Sequence, residues 1–171
     1  MLGAVTVSAA SLSTLIDAMA LKYNVPAALI KATIKVESNW NINASRFEAH
    51  KTDASWGLMQ VMLATAKETL SNSGLTITQL TNPSVNIEAG TKYLAQQLKR
   101  YNGNIMDAIA AYNAGSARKN ESGVYNNNAY VQSVYGNYIM YQTLDTVSTP
   151  AGMGIGFAAL AAIGLVMVGR N

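Results

Sequence analysis

The sequence predicts an all-α domain followed by a separate apolar helix at the C-terminus. Three observations carry this prediction. Apolar residues recur at helical spacing through most of the first 145 positions. Proline, glycine and asparagine stand at the ends of those runs, and no run alternates apolar and polar residues as a half-buried strand would. After Asp145, no charged residue appears until Arg170.

The chain divides into three parts. Residues 1–12 are small and apolar, with no basic residue before Lys22. We expect a leader or an overhang of the first helix there, because a cleaved secretory signal would need a positive region and a longer apolar core. Residues 13–145 make up the helical domain, and residues 146–171 form a hydrophobic C-terminal segment.

The helices of the first half are delimited by proline and by polar residues. The first helix, "STLIDAMALKYN", stops before Pro26. That proline suits the first turn of the second helix, "VPAALIKATIKVES", because the N–H it lacks would have no intrahelical partner. A polar loop is predicted from Asn39 to Ser55, and "GLMQVMLATAKETL" then leads into another helix.

Three further helices are predicted in the second half. "LTNPSVNIEAGTKYLAQQLKRYNG" has Pro83 near its start and closes on Gly103. "NIMDAIAAYNAG" is a short helix with Asn104 as its N-cap and Gly115 as its stop. The last helix has one apolar side, formed by Val131, Val134, Tyr138 and Tyr141.

The second helix carries an unusual carboxylate, Glu37. At 100° per residue it shares the apolar face of Thr33 and Ile34, whereas Lys31 and Lys35 fall on the opposite side. An inward carboxylate with no evident cation is costly, and such sites commonly favour the protonated acid. A general acid is made in this way. The alternative is a glutamate that ends a helix and bonds to some neighbour.

Composition argues against several kinds of site. The chain has no cysteine, so neither a disulfide framework nor a thiolate metal site can form, and the single histidine, His50, argues against a Ser-His-Asp triad. No D-x-D-x-D-G calcium loop is present, and neither a metal nor a cofactor is expected. The net charge of +3 comes without a basic stripe for nucleic acid. It is compatible with weak attraction to an anionic polymer such as a cell wall.

The C-terminal segment has the length of a membrane span. "AGMGIGFAALAAIGLVMVG" is uncharged, and as a helix it would extend roughly 28 Å, close to the thickness of a bilayer's hydrocarbon core. Gly152 and Gly156 stand four apart, as in helix-packing surfaces within membranes. We therefore expect a membrane segment over residues 150–169. The alternative is a buried core helix or a tail packed in an assembly.

Three short motifs occur in order along the domain: "ES" at Glu37–Ser38, "GLMQ" at Gly57–Gln60 and "AYNAG" at Ala111–Gly115. Supporting pieces are "ATA" at 64–66, "NP" at 82–83, "NIEAGTKYL" at 86–94 and "YVQSV" at 130–134. Together these motifs resemble the soluble lytic transglycosylases, which share the lysozyme-like fold. The resemblance runs from about Tyr23 to Tyr141 and leaves out both ends of the chain.

The resemblance implies roles for individual residues. Glu37 would be the single catalytic acid/base, and Ser38 would orient it or the glycan. Gln60 and Asn113 would line the cleft and hydrogen-bond N-acetyl and hydroxyl groups of the sugars. Tyr130 would direct its hydroxyl at Glu37 and help set the pKa of that carboxyl group.

Two more residues are implied as cleft walls, and two positions depart from the family pattern. Met59 and Tyr112 would form the walls, although either could equally belong to the core. Leu63 stands where the family usually has proline, which should change only a helix start. Asn126 stands where an acidic residue usually precedes the tyrosine by about four positions, which bears on how Tyr130 is positioned.

A single inward carboxylate implies a particular reaction. Ordinary glycosidases use two carboxylates, so one acting alone must first protonate the glycosidic oxygen and then accept a proton from the nucleophile. In peptidoglycan the muramic C6 hydroxyl can be that nucleophile, and tethering gives well-oriented groups effective molarities of roughly 10⁵ M or more. The MurNAc-GlcNAc β-1,4 bond would then be cleaved to leave a 1,6-anhydromuramoyl end, similar to the mechanism of the family.

Two other functions stay open. A goose-type lysozyme shares the fold and the "GLMQ" element but hydrolyses, which would need a second carboxylate. Glu48 and Asp53 are the candidates, although "FEAHKTDAS" describes solvated loop acids more simply. The third hypothesis is a structural membrane or channel protein in which the apolar tail is the functional part and the domain only binds the wall.

The location is also an expectation. Peptidoglycan lies outside the inner membrane, yet the N-terminus has no convincing export signal. A wall-lytic domain joined to a Gly/Ala-rich hydrophobic tail looks like a phage virion component that opens the wall for genome ejection in the host periplasm. Its partners would be glycan strands, the membrane through residues 150–169 and other virion proteins, without nucleic acid specificity. The alternative is a bacterial inner-membrane protein that faces the periplasm.

Overall fold

The computed structural model describes residues 9–48 and 53–147. Within these residues the chain forms seven helices and three short strands. In chain order they are α1 (Ala9–Tyr23), α2 (Ala27–Ser38), β1 (Ser45–Glu48), β2 (Asp53–Trp56), β3 (Val61–Met62), α3 (Leu63–Leu70), α4 (Ile77–Leu80), α5 (Pro83–Arg100), α6 (Ile105–Ala114) and α7 (Asn128–Val147).

Helix α2 buries one face in the core of the domain. Its residues Ile30 and Ile34 are completely buried, and they lie on the same side as Glu37, as the helical periodicity predicts. Helix α7 packs along α2 and contributes Val131 and Val134, which are also fully buried. Because these two helices pack along each other, the start of α7 comes close to the C-terminal end of α2.

The ends of the later helices follow the predicted caps. Asn104 is the N-cap of α6, and its side-chain oxygen accepts a hydrogen bond of 3.1 Å from the backbone N–H of Asp107. Gly115 ends α6 in the left-handed conformation with φ of 75°, which glycine adopts without a Cβ penalty. Pro83 is the first residue of α5 and follows Asn82, whose side chain caps that helix.

The prediction of an all-α domain is wrong between residues 45 and 62. A three-stranded antiparallel sheet with the order β1-β2-β3 begins within the predicted polar loop and extends past its end. Ser45 pairs with Trp56 and Glu48 with Asp53, while Ser55 pairs with Met62. The first two strands have four residues and the third only two. Strands this short and polar show too few alternations to be recognised by periodicity.

The two ends of the chain are not described. None of the helices within residues 9–48 and 53–147 has both the length and the apolar character that a membrane span requires. The proposed membrane segment at 150–169 and the first eight residues of the predicted leader lie outside these ranges.

Candidate active site

A cleft of about 630 Å³ opens beside the C-terminal end of α2. The sheet forms one side, and α3, α5 and the end of α6 contribute the others. Its lining residues are Glu37, Arg46, Ser55, Gln60, Met62, Thr65, Tyr93, Tyr112, Asn113, Ala114 and Gly115.

Glu37 and Tyr130 meet at this cleft. The hydroxyl of Tyr130 donates a hydrogen bond of 2.6 Å to Oε1 of Glu37, and both side chains are half-buried. The bond exists because α2 and α7 pack along each other, although 93 residues separate the two positions. The predicted direction of the tyrosine hydroxyl is therefore what the structure shows.

Two tyrosines that feel the charge of Glu37, Tyr112 and Tyr130, are held in the neutral form. Burial raises the pKa of Tyr130 well above its usual value, and the nearby charge of Glu37 raises it further. Burial and then the charge of Glu37 likewise raise the pKa of Tyr112. Arg46 acts in the opposite direction on Tyr130. Both phenols can thus serve as hydrogen-bond donors without ionising.

The "GLMQ" motif forms the tight turn between β2 and β3. Gly57 has φ of 72° and Gln60 has φ of 46°, so both ends of the turn use the left-handed region. The Gln60 Nε2 group donates to the carbonyl oxygens of Ala44 at 3.0 Å and Gly57 at 2.9 Å. These bonds hold the side chain against the turn, and its Oε1 atom is the remaining polar end.

Asn86 fixes this turn onto α5. Its Nδ2 group donates to the carbonyl oxygens of Trp56 at 2.8 Å and Leu80 at 3.1 Å, and its Oδ1 atom accepts from the N–H of Met59 at 2.9 Å. Asn86 is fully buried. A Cβ on Gly57 would lie 2.5 Å from the Asn86 Nδ2 atom, so the motif needs glycine there both for its φ and for this close approach.

The "AYNAG" motif provides the opposite side of the cleft. The hydroxyl of Tyr112 donates to the carbonyl oxygen of Met59 at 2.8 Å, which joins α6 to the "GLMQ" turn. Asn113 lies one residue further along the cleft, and its Oδ1 atom accepts a bond from Asn127. Arg100 donates to the carbonyl oxygen of Gly115 at 2.8 Å and so holds the end of α6 against α5.

The predicted site residues do not all face the cleft. Glu37, Gln60, Tyr112 and Asn113 line it together. Met59 is fully buried. Of the two alternatives for this residue, cleft wall or core, the structure shows the core. The hydroxyl of Ser38 donates to the carbonyl oxygen of Ile34 at 3.2 Å within α2, so its role in orienting Glu37 or the glycan stays a prediction.

The two departures from the family pattern have simple structural settings. Leu63 is the first residue of α3, and the preceding Met62 is extended with ψ of 146°. A proline or another residue can begin a helix at this position. Asn126 is exposed, and Tyr130 still reaches Glu37 without an acidic residue there.

Several lining residues had no predicted role. Arg46 comes from β1, Ser55 from β2 and Met62 from β3. These three were not predicted because the sheet itself was not predicted. Thr65 and Tyr93 come from α3 and α5, and the Tyr93 ring lies 5.3 Å from that of Tyr112. Tyr93 lies within the "NIEAGTKYL" stretch, and this is the feature of the sequence that could have indicated its place in the cleft.

The carboxylate candidates for a second catalytic group lie on the hairpin. Asp53 begins β2, does not line the cleft, and its Oδ1 atom accepts from the backbone N–H of Ala54 at 2.7 Å. Glu48 faces Asp53 in the strand register, but its side chain lies outside the described part of the structure. Among the described residues, no group of three or more His, Asp or Glu side chains could hold a metal ion.

Comparison with known proteins identifies the sequence relationship. The sequence model of the family described as "Transglycosylase SLT domain" matches residues 14–133. Soluble lytic murein transglycosylases from two Escherichia coli strains are 32% identical over 119 residues, which is 64% of this chain and 18% of each relative.

A solved structure has a similar fold. It is the X-ray structure of an inactive glutamate-to-glutamine mutant of the lytic transglycosylase Slt from Pseudomonas aeruginosa. The similarity has a TM-score of 0.66 at 27% identity and covers 81% of this chain and 25% of the other. The chain thus spans about a fifth to a quarter of the length of these similar proteins. It belongs to the transglycosylase SLT domain family.

Proposed function

We propose that this chain is a peptidoglycan lytic transglycosylase and that Glu37 is its catalytic acid/base. The observation that carries the proposal is the 2.6 Å hydrogen bond from Tyr130 to Glu37, made at a cleft lined by Gln60, Tyr112 and Asn113. A half-buried carboxylate held by a neutral phenol, with amides nearby, suits proton transfer to a bound glycan. Family membership supports the same assignment.

The reaction needs one carboxyl group that acts twice. The protonated Glu37 gives its proton to the oxygen of the MurNAc-GlcNAc β-1,4 bond, the bond from that oxygen to muramic C1 breaks, and the GlcNAc side leaves as an alcohol. The muramic C6 hydroxyl then attacks C1, and its proton goes to the carboxylate of Glu37. The product is a 1,6-anhydromuramoyl end, and no water is consumed.

The composition of the cleft supports this one-carboxylate mechanism. Glu37 is the one carboxylate among the described residues that line it. Hydrolysis would need a second carboxylate to activate water, and Asp53 is bonded to the backbone of its own strand instead. The Tyr130 hydroxyl can stabilise the carboxylate between the two proton transfers, because hydrogen bonds to a charged group are stronger than those between neutral groups.

The test is mass spectrometry of the muropeptides that the full-length chain releases from purified peptidoglycan. We expect 1,6-anhydromuramoyl ends from the wild type. A Glu37→Gln variant should lose activity by about 10³-fold, within the range that general acid/base groups contribute, and should keep its circular dichroism spectrum. The glutamine retains an oxygen that can accept the Tyr130 hydrogen bond, so it is a conservative replacement.

Each product has a distinct meaning. Reducing ends in place of anhydro ends would show that water is the nucleophile and would establish a lysozyme-type hydrolase. Absence of Glu37-dependent products from a folded protein would overturn the enzymatic proposal. It would leave the structural or channel function carried by the C-terminal segment.

We also propose that the enzyme is carried in a phage virion and opens the host wall locally during genome ejection. This rests on the sequence, in which a wall-lytic domain precedes an uncharged segment over residues 151–169. Through that segment the protein would associate with the host envelope. Detection of the protein in purified particles by immunoblotting would support the proposal. Its absence from particles, with the protein instead in the bacterial inner membrane, would overturn it.

A further inference from the structure

The side chain of Asn113 is oriented by a residue that the sequence motifs do not include. We propose that Asn127 is a positioning residue that fixes the amide of Asn113 and thereby gives the cleft a preference for N-acetylated sugars. The inference rests on the proposed function, since it concerns how the same cleft selects its glycan.

The orientation of Asn127 follows from its partners. Its side-chain amide makes two bonds from one atom, to the carbonyl oxygen of Ala110 at 3.1 Å and to the amide of Asn113 at 2.9 Å. A backbone carbonyl can only accept a hydrogen bond, so the shared atom must be the nitrogen, Nδ2. The Asn113 atom that it meets must then be the oxygen, Oδ1.

The orientation of Asn113 determines what it offers to a ligand. Asn113 lines the cleft, and its Oδ1 atom already accepts from Asn127. The group that its amide still has to offer a ligand is therefore Nδ2, which within the described residues donates to no protein acceptor. Asn113 is itself exposed and on the last turn of α6, so without this contact the two ends of its amide could exchange. Asn127 removes that freedom and presents a donor.

Gln60 offers the complementary group. Its Nε2 atom donates to two backbone carbonyls, and by the same reasoning its Oε1 atom is the end available as an acceptor. An acetamido group carries one acceptor, its C=O, and one donor, its N–H. A cleft with one fixed amide donor and one fixed amide acceptor matches that pair, whereas a free amine has no carbonyl for Asn113 to bond.

The sequence around Asn127 provides matched controls. Three consecutive asparagines precede Tyr130, and they differ in their contacts. Asn126 is exposed and bonds through its backbone N–H to Arg118, and Asn128 accepts from Gln132 at 3.4 Å. Asn127 is the member of this trio that bonds to Asn113. Asn126→Asp therefore adds the same negative charge as Asn127→Asp but leaves the hydrogen bond between Asn127 and Asn113 in place.

The decisive variant is Asn127→Asp. It replaces the donor with an oxygen, which repels the Ala110 carbonyl and the Asn113 Oδ1 atom. The Asn113 amide can relieve this by turning through 180°, so that its Nδ2 atom bonds to the new carboxylate and its Oδ1 atom faces the cleft. A donor at the cleft is then exchanged for an acceptor, while Glu37 and Tyr130 are unchanged.

The measurement is the ratio of kcat/KM for N-acetylated peptidoglycan to that for partly N-deacetylated peptidoglycan. We expect this ratio to fall about tenfold in Asn127→Asp, roughly the value of one lost hydrogen bond, and to stay unchanged in Asn126→Asp. Asn127→Ala, which introduces no charge, should give an intermediate loss. Thermal unfolding shows whether each variant is folded at the assay temperature.

A second readout is independent of turnover. In the Glu37→Gln background, binding of N-acetylglucosamine oligomers and of their deacetylated forms can be followed by the NMR shift of the Asn113 side-chain amide. Asn127→Asp should abolish the preference for the acetylated oligomer. If the wild type released no product but this preference were present and depended on Asn127, the proposed function would fail and the inference would stand.

Two results would overturn the inference. If the ratio of kcat/KM for acetylated to deacetylated peptidoglycan were unchanged in both Asn127 variants, Asn127 would not determine the preference for acetylated sugars. An equal loss on acetylated and deacetylated substrates would show that Asn127 only supports the structure of the α6 end.

Discussion

Tyr130 donates its hydroxyl to Oε1 of Glu37 at 2.6 Å across the packed faces of α7 and α2. The tyrosine is neutral over a wide pH range because burial raises its pKa. Glu37 therefore accepts a hydrogen bond from a group that stays protonated when the carboxyl group gains or loses its proton. The position of this donor is set by the fully buried Val131 and Val134 on the same helix, so the helix core determines the geometry at the carboxylate.

Removing the Tyr130 hydroxyl should slow the chemical step. In Tyr130→Phe the ring remains to fill its place, and only the bond to Glu37 is lost. Hydrogen bonds to charged groups contribute about 1.5–3 kcal/mol, so we expect kcat to fall roughly 10- to 100-fold with KM changed less than about twofold. Steady-state kinetics on soluble glycan strands would measure both parameters.

Tyr135→Phe is the matched control, because Tyr135 lies on the same helix, is half-buried and contacts the Tyr138 ring rather than Glu37. Equal losses in the two variants would show that the Tyr130 hydroxyl has no special part in the reaction.

Asp53 should be dispensable for the reaction. It does not line the cleft, and its carboxylate accepts from the adjacent Ala54 N–H. We therefore expect Asp53→Asn to keep kcat within about twofold and to release the same anhydro product, since the proposed reaction uses Glu37 as its only acid/base group. Mass spectrometry of the products is the measurement. A folded Asp53→Asn protein without activity would instead indicate a hydrolase that uses this second carboxylate.

The sequence predicts features that depend on neighbouring residues better than features that depend on distant contacts. The ends of α6 are predictable because Asn104 and Gly115 act within one turn of the helix. The sheet is not predictable in this way. Its strands β1 and β2 are short and polar, and what defines them is their pairing with each other in the folded protein. Arg46 was missed for the same reason, since it reaches the cleft from β1.

The site shows the same division. The motifs select Glu37, Gln60 and Asn113, which line the cleft, but they do not reveal how the side-chain amide of Asn113 is oriented. That orientation depends on Ala110 and Asn127, which bond across α6 and the start of α7. A side chain that bonds to a backbone carbonyl leaves little trace in the residue types around it, because every residue has such a carbonyl.

Gly57 of the "GLMQ" turn should not tolerate replacement by alanine. An alanine there would place Cβ 2.5 Å from the buried Asn86 Nδ2 atom at φ of 72°, which combines overpacking with a strained backbone. We expect Gly57→Ala to lower the free energy of unfolding by about 3 kcal/mol and Tm by about 10 °C. Chemical and thermal denaturation would measure the two values.

Gly136 offers the opposite case in the same protein. It lies in α7, and an added Cβ would meet nothing within 4 Å. Gly136→Ala should raise the free energy of unfolding by about 0.5–1 kcal/mol, because alanine restricts the unfolded chain and favours the helix. If the two substitutions had similar effects, the close approach of Gly57 to Asn86 would not be what the turn requires.

The ion pair between α1 and α5 should make the stability of the domain depend on acid. Lys22 donates to Glu88 Oε1 at 2.6 Å, and the Tyr23 hydroxyl donates to the same oxygen at 2.8 Å. The hydrogen bond from Lys22, and then that from Tyr23, lowers the pKa of Glu88 below its usual value. The folded protein therefore favours the charged carboxylate more strongly than the unfolded chain does.

The sign of the effect follows from this difference. The contribution of Glu88 is fully present above the pKa of glutamate in the unfolded chain, about 4.3, and is lost as the pH falls through the lower pKa of the folded state. We expect Glu88→Gln to be less stable than the wild type at pH 7, and the difference to shrink steadily between about pH 4 and pH 2. Urea denaturation at pH 7, 5, 4, 3 and 2 would follow it. A Glu88→Gln deficit that stayed constant down to pH 2 would mean that the lost contact acts through packing and not through charge.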